Sequence, residues 1–244
     1  MPLHFVTDEA ASAQPGDAVV LTGAEAHHAA SVRRVRVDEA VTLGDGRGVW
    51  LDGTVSAAGP KQVEVVVTAR DDRPAPSPRF VLVQALAKGD RDELAVQAAT
   101  ELGVDAIVPW QASRCVTQWV GARAAKSLDK WRRTAREAAK QSRRPHVPKL
   151  APLMSTAEVT ALLAETSALV LHESADEPLA TCALPDVDEF VLVVGPEGGI
   201  AEDELAAFAS VGARTVRLGS PVLSTSTAGV AALAALSVRL GRWS

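Results

Sequence analysis

The spacing of hydrophobic positions changes partway along the chain. Up to about residue 71, short β-prone runs such as "AVVLTG" and "KQVEVVVTAR" are separated by glycine and aspartate, and "LGDGRG" has the composition of a turn. These runs predict a small, mainly β domain. The stretch "DDRPAPSPRF" then places proline at alternate positions, which favours extended backbone and excludes a helix. We therefore predict a linker at about residues 74–78, between domains at 1–73 and 79–244.

After the linker, continuous apolar runs alternate with stretches of helical periodicity. The predicted strands are "FVLVQALA", "AIVPW", "ALVLHES", "EFVLVVG" and "TVRLG". The predicted helices are "GDRDELAVQAATELGV", a basic helix within 121–149, one near Ser155 to Glu165, one after Gly199, and one from about Ser226 to Leu240. Strands and helices in alternation predict an α/β fold with a parallel sheet.

Three of these strands run into loops that contain few large side chains. Gly195, Gly198 and Gly199 follow the apolar run "FVLVV" and allow the backbone to approach another group closely. Ligands bind beyond the carboxyl ends of strands in open α/β sheets. We therefore expect "LHES", "GPEGG" and "LGSPVLSTSTAG" to form a pocket of backbone groups suited to an adenosine-like ligand. For the glycines alone, a tight connection without a ligand is the alternative.

Basic residues are clustered although the net charge is −5. Residues 121–149 hold ten basic and two acidic residues, a local charge of +8, and Arg33, Arg34 and Arg36 form a second cluster. Such clusters are typical of a phosphate-binding surface, and a solvated helix face is the alternative. Aromatic content is 4%, so base stacking is not expected to dominate recognition. The apolar face of the basic helix is predicted to be Leu128, Trp131, Ala135 and Ala138.

Several classes of protein are disfavoured by what the sequence does not contain. No apolar run approaches the ~20 residues of a membrane span, and the start "MPLHFVTDEA" lacks the features of a signal peptide, so we expect a cytoplasmic protein. Cys115 and Cys182 are far apart and the histidines are scattered, which predicts neither a disulfide nor a metal site. The glycine-rich phosphate motifs of nucleoside triphosphatases and dinucleotide-binding proteins are absent.

Blocks along nearly the whole chain carry a family resemblance. They include "AHHAASVRRVRVDEAVTLGDGRG", "ALAKGDRDELAVQAATELGVDAIVPWQASRCV", "KWRRTAREAAKQSRRPHVPKL", "VVGPEGGIAEDE" and "LGSPVLSTSTAG". The sequence resembles the 16S ribosomal RNA uridine-N3-methyltransferases of the SPOUT class. The resemblance implies a PUA-like β-barrel domain, a parallel sheet with a C-terminal trefoil knot, S-adenosylmethionine as cofactor, a homodimer, and 16S rRNA or the small ribosomal subunit as partner.

The resemblance also implies the residues of the site. The expected cofactor-binding residues are Leu171, His172, Glu173, Gly195, Pro196, Gly198, Leu218, Gly219, Val222, Leu223, Ser224, Thr227 and Ala228. The expected RNA-binding residues are Arg33, Arg34, Arg36, Lys88, Arg132, Arg136, Gln141, Arg143 and Arg144, and the basic helix is expected to include Arg132, Arg136, Arg143 and Arg144. The last block departs from the family pattern, because Pro221, Ser224 and Ser226 stand where arginine, arginine and glutamate are typical.

Methylation of uridine N3 requires loss of the N3 proton, and therefore a proton acceptor or a group that stabilises the uracil anion. Glu197 is the candidate base, with capping of backbone N–H groups as its alternative role. Arg114 is the candidate anion stabiliser, with a structural ion pair as the alternative. Gln141 and Arg143 are expected to help orient the base. Glu101 is assigned to helix termination beside Gly103.

Two other functions are compatible with these residues. The first is a SPOUT enzyme that acts on another ribosomal or transfer RNA position. The second is an RNA-binding protein without catalysis, because Ser224 and Ser226 lack the charges typical of the family.

Overall fold

The structure is a computed structural model that describes residues 2–243. It contains two compact units. The first extends to Ala75 and also includes Ala139–Val147, and the second consists of Pro76–Ala138 and the residues from Pro148 onwards. The division after Ala75 lies within the predicted linker, whereas the return of Ala139–Val147 to the first unit was not predicted. The boundaries of independently folding domains stay a prediction.

The first unit is built on a five-stranded sheet. Its strands are β1 (Leu3–Val6), β2 (Ala18–Thr22), β3 (Ala40–Gly44), β4 (Val49–Gly59) and β5 (Gln62–Asp72), in the order β1-β3-β4-β5-β2. The pair β1 and β3 is parallel and the other pairs are antiparallel. In β5, the alternate residues Val63, Val65 and Val67 are buried, as the period of a strand with one core-facing side requires. The helix α1 (Gly23–His27) continues into a π-helical turn, His28–Val32.

The returning segment joins this unit at the turn between β3 and β4. Gly48 donates its N–H to the carbonyl of Pro145 (3.0 Å), and Val147 donates to that of Gly46 (2.9 Å). A Cβ at Gly46 would lie 2.8 Å from Val147, which explains the glycine at that position. The turn "LGDGRG" therefore serves as the attachment point of a segment distant in sequence.

The second unit contains a parallel sheet. Its strands are β6 (Arg79–Ala85), β7 (Ala106–Gln111), β8 (Lys149–Leu150), β9 (Met154–Ser155), β10 (Ser167–Leu171), β11 (Glu189–Val194) and β12 (Arg214–Val216). Their order is β12-β10-β11-β6-β7-β8, with β9 also paired to β7, and each pair is parallel. The predicted parallel sheet is confirmed. The apolar run of β11 is buried because strands flank it on both edges.

Five helices follow the predicted pattern: α2 (Arg91–Glu101), α3 (Ala122–Gln141), α4 (Thr156–Leu163), α5 (Glu202–Ser210) and α6 (Thr225–Arg239). Gly103 has φ +96°, so the predicted glycine termination of α2 beside Glu101 is confirmed. The predicted apolar face of α3 is also confirmed, since Trp131, Ala135 and Ala138 are buried.

One prediction about the basic helix was wrong. Arg143 and Arg144 were placed on the helix, but α3 ends at Gln141. Arg143 has φ +56°, a left-handed backbone conformation that stops a helix. Within residues 2–243, no helix combines the length and the apolar character that crossing a membrane would need.

Candidate active site

The candidate site lies at the carboxyl edge of the parallel sheet. The neighbouring strands β10 and β11 run in the same direction, so the loops after them leave the sheet at one edge. These loops and the segment before α6 enclose a cavity of about 550 Å³. A smaller cavity of about 80 Å³ shares Leu171, His172, Glu173, Val222, Leu223 and Ala228 with it.

Most of the expected cofactor-binding residues line these two cavities. The larger one is lined by Leu171, His172, Glu173, Gly195, Pro196, Gly198, Val222, Leu223, Ser224 and Ala228. Leu218 and Gly219 line the smaller one. The Oγ1 atom of Thr227 lies 2.9 Å from Oγ of Ser224, which in turn lies 3.0 Å from Oγ of Ser226. The two serines that replace the charged residues of the family therefore form an uncharged hydroxyl cluster at the start of α6.

Gly198 is required by a protein contact. A Cβ at this position would lie 3.1 Å from Cβ of Arg114 and 3.2 Å from its carbonyl oxygen. Nη1 of Arg114 also donates a hydrogen bond to the carbonyl of Gly198 (3.3 Å). The sequence suggested that this glycine makes room for a ligand, whereas the structure shows that it makes room for Arg114.

Arg114 lines the larger cavity together with Arg91, a residue that the sequence reasoning missed. Arg114 is exposed and forms no salt bridge with another of the residues 2–243, which weighs against the alternative of a structural ion pair. Arg91 differs, because its Nη1 lies 3.2 Å from Oε1 of Glu197. The cavity thus has two guanidinium groups, one of them partly neutralised.

Glu197 connects two loops. Its Oε1 accepts hydrogen bonds from the backbone N–H of Lys88 (3.0 Å) and from Arg91. Burial acts to raise the pKa of Glu197, but hydrogen bonds from the N–H groups of Glu197 and Lys88 and from Arg91 outweigh it, so its pKa is lowered. A carboxylate held in this way is a weak proton acceptor, and the geometry favours a role in positioning the loop before α2.

Thr225 lines the cavity, and Gln84 holds Thr225 from the protein interior. The hydroxyl of Thr225 donates to the carbonyl of Gly195 (2.7 Å) and accepts from Nε2 of Gln84 (3.0 Å). Gln84 is buried, and its Oε1 has no hydrogen-bond partner within residues 2–243. These bonds join the ends of β6 and β11 to the first turn of α6. Neither residue was identified from the sequence, because the bonds span 141 and 30 positions.

Glu204 was also missed. It was assigned only to the acidic first turn of α5, yet its side chain is buried. Its Oε1 accepts hydrogen bonds from the N–H of Ser113 (2.8 Å) and the hydroxyl of Thr156 (2.8 Å), and its Oε2 accepts one from the N–H of Ala201 (3.1 Å). Glu204 thereby fixes the loop that carries Arg114 against the helix that follows the glycine loop.

The expected RNA-binding residues come together only in part. In the first unit, Arg33, Gln141 and Arg143 line one cavity of about 370 Å³, although they are distant in sequence. His4 lies in the same wall, stacked on Trp50 with ring centroids 4.2 Å apart. Burial lowers the pKa of His4 to about 4, with further contributions from Arg143, Lys140 and Arg73. His4 is therefore neutral near pH 7, and the cavity's positive charge comes from Arg33 and Arg143, because Lys140 is paired with Glu25.

The remaining expected RNA-binding residues lie outside that cavity. Arg132 pairs with Asp129 on α3 (2.9 Å), and Arg136 is half-buried on the same helix. Lys88 uses its N–H to hold Glu197. Arg34, Arg36 and Arg144 are not among the lining residues of the cavity.

Comparisons with known proteins agree with this architecture. Residues 21–68 match the family model described as RNA methyltransferase PUA domain, and residues 74–237 match that described as RNA methyltransferase domain. The protein is therefore an RNA methyltransferase with a PUA domain. Ribosomal RNA small subunit methyltransferase E of Mycobacterium tuberculosis is 46% identical over 233 residues, covering 93% of this chain and 89% of that protein. The chain belongs to the ribosomal RNA small subunit methyltransferase E family.

Two solved structures share the fold over 98% of both chains. One is ribosomal RNA small subunit methyltransferase E from Neisseria gonorrhoeae bound to S-adenosyl methionine, with a TM-score of 0.87 and 29% identity. The other is a Legionella pneumophila protein solved with the cofactor SAM, with a TM-score of 0.88 and 26% identity. The family resemblance drawn from the sequence is confirmed, as is the PUA-like N-terminal domain. The C-terminal knot stays a prediction.

Replacing Glu204 with alanine tests its role in the site. Loss of the carboxylate leaves three donors without their acceptor, and we expect the free energy of unfolding to fall by about 3 kcal/mol. Glu202→Ala, an exposed acid in the same helical turn, should change it by no more than ~0.5 kcal/mol. Denaturant unfolding of both variants measures the difference. Equal changes in the free energy of unfolding would mean that Glu204 contributes no more than an ordinary acidic residue in the first turn of a helix.

Proposed function

We propose that this protein transfers a methyl group from S-adenosylmethionine to N3 of a uridine in 16S ribosomal RNA. The observation that supports the reaction best is the cavity at the sheet edge, where the glycine loop lies against Arg114 and Arg91 contributes a second guanidinium. The ribosomal RNA target is supported by the names of the relatives. The nucleotide and its N3 position come from the family resemblance of the sequence blocks.

The residues of the cavity fit the cofactor. A volume of about 550 Å³ is within the ~300–1,000 Å³ typical of small-molecule sites. Gly195 and Gly198 contribute only backbone to the lining, and Ser224 and Thr225 add hydroxyl groups to it. When bound, S-adenosylmethionine supplies a methyl group on a positively charged sulfur. The segments Leu171–Glu173, Gly195–Gly198 and Val222–Ala228 would hold it.

We assign to Arg114 the stabilisation of the uracil anion. Loss of the N3 proton leaves a negative charge that the ring shares with its carbonyl oxygens, and a nearby guanidinium stabilises that charge. Arg114 is exposed in the cavity and has no carboxylate partner in the part of the chain that the structure describes. Glu197 keeps Arg91 and the N–H of Lys88 in place, and its lowered pKa is unsuited to accepting a proton. Ser224 and Ser226 cannot replace the missing arginine and glutamate as charged groups.

The test of this assignment follows methyl transfer to small-subunit RNA from a strain that lacks the activity. The unaltered protein should produce 3-methyluridine, detected by mass spectrometry of the nucleosides. Arg114→Ala should lower the single-turnover rate by ~10²-fold or more, with cofactor affinity close to that of the unaltered protein, since the lost interaction acts in the transition state.

Arg114→Lys, which keeps the charge, should recover part of that rate. A methylated nucleoside other than 3-methyluridine would support a different RNA target. The absence of any methylation, with RNA still bound, would support a binding protein without catalysis. An Arg114→Ala protein with an unchanged rate would exclude Arg114 from the mechanism.

We assign RNA binding to basic residues in each of the two units. In the first unit, Arg33, Gln141 and Arg143 share one cavity with the buried Lys140, whose Nζ lies 3.1 Å from Oε1 of Glu25. In the second unit, Arg132 is exposed on α3. We expect the arginines to contact phosphate and Gln141 to contact a base or ribose. Because the substrate is ribosomal RNA, the protein acts in the cytoplasm.

The salt dependence of RNA affinity tests the cavity of the first unit. Each phosphate contact on single-stranded RNA contributes about −0.7 to the slope of log affinity against log salt. The combined Arg33→Ala and Arg143→Ala protein should therefore have a slope smaller in magnitude by about 1.4. Lys61→Ala, in the exposed turn between β4 and β5, should leave the slope unchanged. A slope unchanged in the double variant would mean that these arginines only face solvent.

A homodimer is part of the proposal. Val222 is 76% exposed at the mouth of the cavity, and Val238 is 65% exposed on α6, which is a large exposure for apolar side chains. The family resemblance places these regions against a second subunit. Sedimentation at micromolar concentration should show a dimer, and Val222→Asp should dissociate it while Val37→Asp, in the first unit, should not. A fully active monomer would contradict the assignment.

A further inference from the structure

A third cavity, of about 380 Å³, lies in the second unit and shares no lining residue with the active-site cavity. It is formed by the loop before α2 and the first turn of α2, the loop after β7, and one face of α3. On α3 the lining residues are Arg123, Ser127, Lys130 and Trp131, which are spaced four, three and one positions apart and therefore share one helix face. Arg132 and Arg136, the residues expected from the sequence to bind RNA, are not part of this lining.

Hydrogen bonds and ring contacts fix the walls of this cavity. The hydroxyl of Thr117 donates to the carbonyl of Ala87 (2.9 Å). The side chain of Gln111 bonds the carbonyl of Thr117 (3.1 Å) and the N–H of Trp119 (3.2 Å). The ring of Trp119 packs edge-on against Trp131 with centroids 5.1 Å apart. The loop after β7 is therefore held in one conformation, and the cavity exists before any ligand arrives.

The charges of the lining balance one another. Asp92 is buried, and burial raises its pKa. Glu93 forms an ion pair with Lys130, and Arg123 is the second base. Two acids face two bases, so the cavity does not have the positive charge that a site for phosphate alone requires. Carboxylate, hydroxyl and amide groups nevertheless offer hydrogen-bond donors and acceptors, a lining suited to a neutral polar group such as a nucleobase with its ribose.

The loop before α2 separates this cavity from the active-site cavity. Ala87 and Gly89 line the third cavity, while the N–H of Lys88 holds Glu197, which lines the active-site cavity. Arg91 of the same segment lines the active-site cavity, and Asp92, the next residue, lines the third one. A nucleotide in the third cavity would therefore lie across a single loop from the base that is methylated.

We propose that the third cavity binds an unpaired nucleotide of the RNA substrate, next in the chain to the methylated one. Arg123 and Lys130 at its rim contact the adjoining phosphates, and the polar groups inside contact the base. This inference rests on the proposed function. It extends that function by giving the enzyme a second base-recognition site, which would help to select the target sequence.

Two exposed valines on one loop provide the test. Val116 is 72% exposed and lines the cavity, whereas Val120 is 70% exposed and does not. Val116→Trp should fill the cavity, and Val120→Trp is the matched control. The probe is a short synthetic RNA centred on the nucleotide that the unaltered protein methylates. We expect Val116→Trp to weaken RNA binding about tenfold, the scale of one lost base contact, and Val120→Trp to weaken it less than twofold.

A set of RNAs, each lacking the base of one nucleotide, identifies the nucleotide that binds in the third cavity. Loss of the base beside the target should weaken binding to the unaltered protein about tenfold and to Val116→Trp hardly at all, because the variant has already lost that contact. Cofactor affinity, measured by calorimetry, should be the same in all three proteins.

Equal effects of the two tryptophan substitutions would overturn the subsite. The subsite would also be overturned if removal of a base, at each position, weakened RNA binding equally in the unaltered protein and in Val116→Trp. A protein that binds small-subunit RNA without methylating any of its nucleotides would overturn the proposed function instead, and the two valine variants, compared on that RNA, would still decide the subsite.

Discussion

The buried carboxylate of Glu204 joins three segments that the chain brings together from distant positions. Its partners are the N–H of Ser113, after β7, the hydroxyl of Thr156, at the start of α4, and the N–H of Ala201, before its own helix. A carboxylate removed from water is costly unless its oxygens accept hydrogen bonds, and here both do. The arrangement is stable only with all three segments in place, so this interaction couples the loop that carries Arg114 to the packing of α4 and α5.

Contact between Gly198 and Arg114 depends on that coupling. Arg114 follows Ser113 directly, and a Cβ at Gly198 would lie 3.1 Å from Cβ of Arg114. A side chain at position 198 would therefore fit only if Arg114 or the glycine loop shifted by a few tenths of an ångström. On the other side of the cavity, Thr225 fixes Gly195 through a hydrogen bond of 2.7 Å. With Gly195 bonded to the buried Thr225 and Gly198 in contact with Arg114, the loop is attached at both ends and the cavity keeps its shape before a ligand binds.

The sequence predicted the elements of this fold better than their connections. Continuous apolar runs located β6, β7, β10 and β11, and the spacing of Trp131, Ala135 and Ala138 gave the buried face of α3. These are local patterns, and local spacing determines them. The attachment of Ala139–Val147 to the first unit left no such trace, because the pairing of Lys140 with Glu25 joins residues 115 positions apart. Glu204 was missed for the same reason, since its local role in the first turn of α5 accounts for only one of its three hydrogen bonds.

Glu197, the glutamate of the glycine loop, shows why the type of a residue alone did not assign the chemistry of the site. Glu197 is an ionisable residue in the cavity wall, which made it a candidate base, but its Oε1 is occupied by Lys88 and Arg91 and its pKa is lowered. The hydrogen bond from Arg91 to Glu197 also distinguishes the two arginines of the cavity. Arg91 is offset by a carboxylate, whereas the side chain of Arg114 has only the carbonyl of Gly198 as a hydrogen-bond partner within residues 2–243. The carbonyl dipole of Gly198 leaves the positive charge of Arg114 largely available to a developing anion. The carboxylate of Glu197, in contrast, neutralises much of the positive charge of Arg91. In the mechanism that we propose, Glu197 does not remove the proton, and Arg114 stabilises the resulting charge.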